Sequence, residues 1–316
     1  MSASHLDDVA PPLTRDPDRQ ATVFGLSVGG WHRIAYADWG ALGDPAPVVC
    51  VPGLSRQGRD FDFLAQELAR QGRRVVCPDL PGRGRSSRLA SALHYVFPQY
   101  CADLATVIHA TGARQIDWVG TSLGGLIGMV LAGMPGNRIR RLVINDIGPL
   151  VPREAEVRIG ERLGEMPERF KTFADAVAFF RVAFADYGAM DDVRWYHIVR
   201  HSIEWSERDR SFDLLYDRNI TTAYHLYRYY TTPLWAFWRN IQGPILILAG
   251  ENSSVLPPEL ARDMQRQNPR ARCLKVPDVG HMPMLMQSDQ VDPVVEFLME
   301  ELGETGSSCS ATVATI

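Results

Sequence analysis

Two side chains in this chain have the types and settings needed to break an acyl bond together. One is Ser122, in Gly120-Thr121-Ser122-Leu123-Gly124; the other is His281, far downstream in Gly280-His281-Met282-Pro283. A serine hydroxyl is a weak nucleophile until a neighbouring base takes its proton, and imidazole is the side chain suited to do so near neutral pH. The G-x-S-x-G spacing describes a sharp strand-to-helix turn that lifts the serine hydroxyl off the sheet edge. The context agrees: the apolar run 116–119 precedes the motif, and an apolar helical pattern opens near Leu123. The Leu123 N–H then lies at a helix N-terminus, aimed where an oxyanion would form. A second donor is expected from the loop after the apolar run 48–51, which reads Pro52-Gly53-Leu54-Ser55-Arg56. Leu54 N–H is the candidate, because Gly53 lets the backbone turn sharply. Gly53, Ser55 and Arg56 are candidate substrate contacts. The other seven histidines make poorer bases, with His32 and His94 placed in early turns and His197, His201 and His225 in a helical segment.

Elements able to bring residues 122 and 281 together are legible as apolar runs at 47–51, 74–77, 116–119, 142–145, 244–248 and 273–276. Such runs alternate with helical patterns (Phe61, Leu64, Ala65, Leu68; Cys101, Leu104, Ala105, Ile108; Val291, Val294, Val295, Leu298), as strands of a sheet covered on both faces do. Residues 23–40 predict an antiparallel hairpin around Gly29-Gly30. Residues 151–240 break the alternation: no apolar strand run is evident, only a helical stripe (Phe173, Val177, Phe180, Phe184) and an aromatic-rich stretch from Tyr224 to Trp238. The expected architecture is α/β, a mostly parallel central sheet flanked by helices. The core is assigned to 21–150 and 241–303, a helical cap inserted after the sixth strand to 151–240, and flexible tails to 1–20 and 304–316.

Composition narrows the function further. Lys plus Arg number 33 against 37 Asp plus Glu, so no strong field favours nucleic acid or an anionic membrane. No apolar run approaches the roughly 20 residues of a membrane span, and the first 20 residues are polar rather than signal-like. A cytoplasmic protein acting on a small molecule is expected. The five cysteines are odd in number and widely spaced, which suggests neither a disulfide framework nor a metal site. No cofactor is implied, and a homo-oligomer is left open. Arg83-Gly84-Arg85-Ser86 lacks the spacing of a phosphate loop and reads as a solvated turn.

At these residues the chain resembles the α/β-hydrolase superfamily, from about Val23 to Leu302. The resemblance is carried by Val51-Pro-Gly-Leu-Ser-Arg56, Asp60-Phe61, Pro78-Asp-Leu-Pro-Gly-Arg-Gly-Arg-Ser86, Gly120-Thr-Ser-Leu-Gly-Gly125 and Asn145-Asp-Ile-Gly-Pro149. These look like the bacterial esterase-type group with a helical cap. The resemblance implies a carboxylic ester hydrolase working through an acyl-enzyme, and the Phe, Tyr and Trp content of 151–240 suggests an apolar pocket for a small to medium, largely apolar ester. The resemblance also implies an acid partner for the histidine, and there the pattern departs. Relatives usually carry Asp in the loop after the seventh strand, where this chain has Ser253 and Ser254. Three alternatives remain: Asp146 at the end of the sixth strand, which is preferred; Glu251 in the altered loop; or a dyad without a carboxylate. Asp146 also has a plain reading as an Asx turn. Serine rather than aspartate as nucleophile argues against dehalogenase or epoxide hydrolase chemistry. Hydrolysis of a carbon–carbon bond in a ring-cleavage diketone, or a hydrolase-like binding protein, are the rival functions.

Overall fold

The computed structural model describes residues 14–227 and 233–301. Eight strands form the central sheet: β1 (Arg19–Ser27), β2 (Gly30–Trp39), β3 (Val48–Val51), β4 (Val75–Pro78), β5 (Ile116–Thr121), β6 (Ile139–Asn145), β10 (Ile245–Gly250) and β11 (Ala271–Val276). Their spatial order is β1-β2-β4-β3-β5-β6-β10-β11. β1 and β2 pair antiparallel as a hairpin, β2 joins β4 antiparallel, and the remaining pairings are parallel.

The parallel strands are apolar throughout because both faces are covered. Val48 and Cys50 pack toward α1 (Asp62–Arg70) and α10 (Ser288–Met299), in one cluster with Leu64, Leu68, Val294 and Leu298. Their neighbours Val49 and Val51 face the opposite layer, with Leu104 of α2 (Phe97–Ala110) and Ile127 of α3 (Leu123–Gly133). The two-residue period of a strand and the 3.6-residue period of a helix thus meet at two buried layers.

Between β6 and β10 lies an insert with α4 (Arg153–Glu165), α5 (Phe173–Ala183), α6 (Asp192–Ser202) and α7 (Asn219–Tyr227). It differs from the expected all-helical segment. β7 (Arg169–Phe170), β8 (Ile203–Ser206) and β9 (Ser211–Leu214) form a small antiparallel sheet in the order β7-β9-β8. These strands span two to four residues and alternate only briefly, with Phe212 and Leu214 buried between half-buried neighbours. That is too short a pattern to separate from helix or loop by periodicity. The insert is no independent body: Phe170, Phe180, Phe184, Tyr187 and Trp195 share one apolar cluster with Val49, Val51 and Leu123.

Two boundaries also shift. α8 (Trp235–Asn240) belongs to the core side, since Trp238 donates its indole N–H to the Met264 carbonyl on α9 (Pro258–Gln267) at 2.9 Å. At the other end, residues 14–20 are part of the fold rather than a tail. Thr14 is buried with its hydroxyl 3.4 Å from Asp62 Oδ2, and β1 starts at Arg19. The rest of the expected N-terminal tail (1–13), all of 304–316 with Cys309, and 228–232 of the aromatic stretch lie outside the described residues.

Candidate active site

β5 ends at Thr121 and α3 begins at Leu123, leaving Ser122 alone at the turn with φ 50° and ψ −112°. A non-glycine residue at positive φ is strained, and it persists only where its surroundings hold it. Here they do. The Ser122 N–H donates to the Asn145 carbonyl at 3.0 Å, and the Trp118 indole N–H donates to the Gly124 carbonyl at 3.0 Å. Glycine is required at both flanks: a Cβ at Gly120 would strike the Gly124 carbonyl, and one at Gly124 would strike the Val51 carbonyl oxygen.

His281 lies on the loop between β11 and α10, held from several sides. Asn145 Nδ2 donates to the Pro283 carbonyl at 2.7 Å and to Thr121 Oγ1 at 3.0 Å, joining this loop to the elbow. The Gly280 N–H donates to the insert at the Asp186 carbonyl, at 2.7 Å. The imidazole is buried, with Nε2 3.1 Å from Ser122 Oγ and Nδ1 2.7 Å from Asp146 Oδ2.

Asp146 is fully buried just past β6, the strand next to β5. Its Oδ1 accepts the Gly250 N–H at 2.8 Å, and its Oδ2 also accepts the Ser253 hydroxyl at 2.7 Å. The structure therefore brings Ser122, His281 and Asp146 into one line, and places Ser253 behind the carboxylate. Glu251 is elsewhere. It pairs with Lys275 Nζ at 2.5 Å and accepts the Asp278 N–H at 3.3 Å, and Lys275 holds its carboxyl below the ordinary range.

The loop after β3 runs beside the serine. A Cβ placed on Gly53 would lie 3.6 Å from Ser122 Cβ and 3.7 Å from Met282 Sδ, so Gly53 keeps open the approach to the hydroxyl. Leu54 and Leu123 are both buried next to that point in the chain. Arg56 is buried, bound by Asp60 through two hydrogen bonds of 2.7 and 2.6 Å and reaching Ser202 Oγ of the insert at 3.3 Å. It sits 5.5 Å from the Phe180 ring and 5.6 Å from Phe184. Its guanidinium thus ties the loop to the insert, while Ser55 is half-buried at the turn. A cavity of about 10 Å³ lies between Gly53, Asp60, Phe61 and Met282. That volume holds no more than a water.

Two expectations are corrected here. Arg83 is not on a solvated turn: it is 1% exposed and donates to the Leu54 carbonyl at 2.7 Å. His32 is not in a turn but within β2, buried against Asp103 at 2.9 Å. Neither had a signal in the sequence, because burial of a lone polar residue leaves no periodic trace.

Asp62, His197 and His201 collect metal-type donors at the junction of α1 and α6, with Asp62 Oδ2 3.5 and 4.0 Å from the two Nε2 atoms. Arg59 Nε already holds both carboxylate oxygens of Asp62, at 2.9 and 2.7 Å. His197 Nε2 lies 3.1 Å from the Arg59 carbonyl, and burial holds this imidazole down to about 4. A cation placed there would face the guanidinium, so the group acts as a polar seam between core and insert.

The family defined by the alpha/beta hydrolase fold matches residues 46–286. The chain belongs to the α/β-hydrolase family. It is 37% identical over 284 residues to a 3-hydroxybutyrate-oligomer hydrolase of Cupriavidus necator, covering 86% of this chain and 94% of that protein. It is 26% identical over 258 residues to a rhodomycin D methylesterase of a Streptomyces species, covering 76% of this chain and 87% of the other. Among solved structures, an alpha/beta hydrolase from Novosphingobium aromaticivorans superposes with a TM-score of 0.79 at 29% identity, over 88% of this chain and 98% of that one. These likenesses make the chain a hydrolase of this family. Among the described residues no helix is long and apolar enough to cross a membrane.

Proposed function

We propose that this hydrolase is a serine carboxylic ester hydrolase whose nucleophile, base and acid are Ser122, His281 and Asp146. The observation that carries the reading is the unbroken pair of contacts from Ser122 Oγ to His281 Nε2 (3.1 Å) and from Nδ1 to Asp146 Oδ2 (2.7 Å). Asp146 keeps the proton of the imidazole on Nδ1, so Nε2 is free to accept. Ser122 Oγ attacks the ester carbonyl as its proton passes to Nε2, and the carbonyl oxygen becomes an oxyanion facing the Leu54 and Leu123 N–H groups. The imidazolium then protonates the departing alkoxide, leaving Ser122 acylated. Water adds by the same route, with His281 again the base, and the acid is released.

For the substrate we infer a short oligoester of a 3-hydroxyalkanoate. The support is the relative acting on 3-hydroxybutyrate oligomers, matched over nearly its full length. The insert would serve as the cap over this ester, with Phe180 and Phe184 beside Arg56. The free buried thiols Cys50 and Cys77 suit a reducing compartment such as the cytoplasm.

The deciding experiment pairs acid release from 3-hydroxybutyrate dimer and trimer with mass detection of the acylated serine. Wild type should turn over and carry the acyl group on Ser122, and Ser122→Ala should lose both, with kcat lower by about 10⁶. Turnover retained in Ser122→Ala would refute the assignment. Hydrolysis of p-nitrophenyl esters without hydroxybutyrate release would retain the chemistry and remove the substrate.

A further inference from the structure

The candidate oxyanion donor on Leu54 is a backbone N–H on a loop, and a loop N–H is useful only if its direction is fixed before charge develops. That direction depends on two planar peptide units meeting at the Leu54 Cα. The first contains the Leu54 N–H itself, and its carbonyl, on Gly53, accepts the Arg56 N–H at 3.1 Å. The second carries the Leu54 carbonyl, which accepts Arg83 Nε–H at 2.7 Å. Among the described residues no acceptor takes the Leu54 N–H, although Leu54 is buried.

Arg83 is itself rigidly placed. Its Nη1 donates to the Pro81 carbonyl at 2.6 Å and to the Tyr100 hydroxyl at 2.9 Å, and the guanidinium carbon lies 5.1 Å from the Tyr100 ring centroid. A planar fork held at several points transmits position in a way a flexible ammonium cannot. The backbone on either side is zipped to the insert. Arg83 bridges Tyr216, the Gly84 N–H donates to the Leu215 carbonyl at 3.1 Å, and the Asp217 N–H donates to the Gly82 carbonyl at 2.8 Å.

We propose that Arg83 is a positioning residue that fixes the Leu54 oxyanion donor and couples it to the seating of the insert. The inference rests on the acyl-transfer reading above. It gives a use to a buried cation far from either end of the serine–histidine relay in sequence.

The test compares Arg83→Met and Arg83→Lys with wild type and Ser122→Ala, using p-nitrophenyl butyrate as substrate and an alkyl trifluoromethyl ketone as a mimic of the tetrahedral oxyanion. Misaimed by the loss of its clamp, the donor should lower kcat about 10- to 100-fold in Arg83→Met. Arg83→Lys should fall in between, because one ammonium cannot hold all three acceptors. KM should stay within about twofold, since ground-state contacts are untouched. Affinity for the ketone should fall by the same factor as kcat/KM, and the shape of the pH–rate profile should not change. Wild-type kcat in whichever Arg83 variant is soluble overturns the inference. So does a fall in kcat that leaves ketone affinity intact, or a rise in KM at unchanged kcat. An inactive Ser122→Ala beside a fully active Arg83 variant removes this inference alone. A wild-type rate no greater than that of Ser122→Ala removes the serine reading and this inference with it.

Discussion

Asp146 concentrates three polar contacts on one carboxylate: the Gly250 N–H on Oδ1, and Ser253 Oγ with His281 Nδ1 on Oδ2. An amide in its place would present N–H₂ or a weaker carbonyl to the imidazole, favouring the wrong tautomer. Asp146→Asn is therefore expected to lower kcat by about 10⁴, the size of loss seen when a triad acid is neutralised. Glu251→Gln should leave kcat within about twofold, because that carboxylate pairs with Lys275 at the surface. Ester turnover measured on both variants decides between the two acids. A sharper arm follows from Ser253, whose hydroxyl is 2.7 Å from the Asp146 carboxylate. Ser253→Asp placed on Asp146→Asn should recover part of the lost kcat, since a side chain one atom longer approaches the same ring nitrogen. Of this site, Ser122 was legible from its turn motif and His281 from its place just beyond the strand run ending at Val276. The acid was not decidable locally, since choosing Asp146 over Glu251 requires knowing that β6 lies beside β5 and that Glu251 turns toward Lys275.

At the scale of elements, the strained turn at Ser122 depends on the close approach of α3 to β3. A methyl at Gly124 would meet the Val51 carbonyl oxygen, which is backbone and cannot swing aside. Gly124→Ala should cost about 3 kcal/mol and lower Tm by several degrees, with activity lost in proportion to the displaced elbow. Gly164, exposed near the end of α4 with nothing within 4 Å of a built Cβ, supplies the contrast. Gly164→Ala should raise stability by about 0.5 kcal/mol. Thermal and urea unfolding of the two variants test whether crowding or backbone entropy governs each glycine. The six parallel strands and four of the helices that cover them were readable from the sequence because apolar runs and helical stripes persist for several residues. β7, β8 and β9 were not, because two to four residues define no period, and their pairing comes from the hairpin and from packing under α5.

For the molecule as a whole, the junction of core and insert carries a pH dependence of its own. His197 is buried between Asp62, Arg59, His201 and Arg200, and burial lowers it from 6.5 to about 4. His201 is lowered as well, by burial first. An unfolded chain takes up the His197 proton near pH 6.5, while the folded chain resists it until about pH 4. Between those values the unfolded state binds more protons, so stability rises with pH across that window and is lost as pH falls through it. His197→Asn removes one part of this slope. The difference in urea midpoint between wild type and His197→Asn should accordingly be larger at pH 7 than at pH 5. An equal difference at both values would mean that the imidazole titrates alike in the two states.

Taken alone, the amino-acid sequence singled out the pair proposed to react, the alternation of strands and helices, and the place where the alternation is interrupted. Those properties are local: a turn motif, a period, a break in a period. Tertiary structure put the Asp146 carboxylate against the His281 imidazole with the Ser253 hydroxyl behind it, and buried Arg83 against the Leu54 carbonyl. It also showed that the insert shares the apolar cluster of the core. Each of these depends on which strands lie side by side and on how far a side chain reaches across the gap, and neither quantity is written in the spacing of residues along the chain.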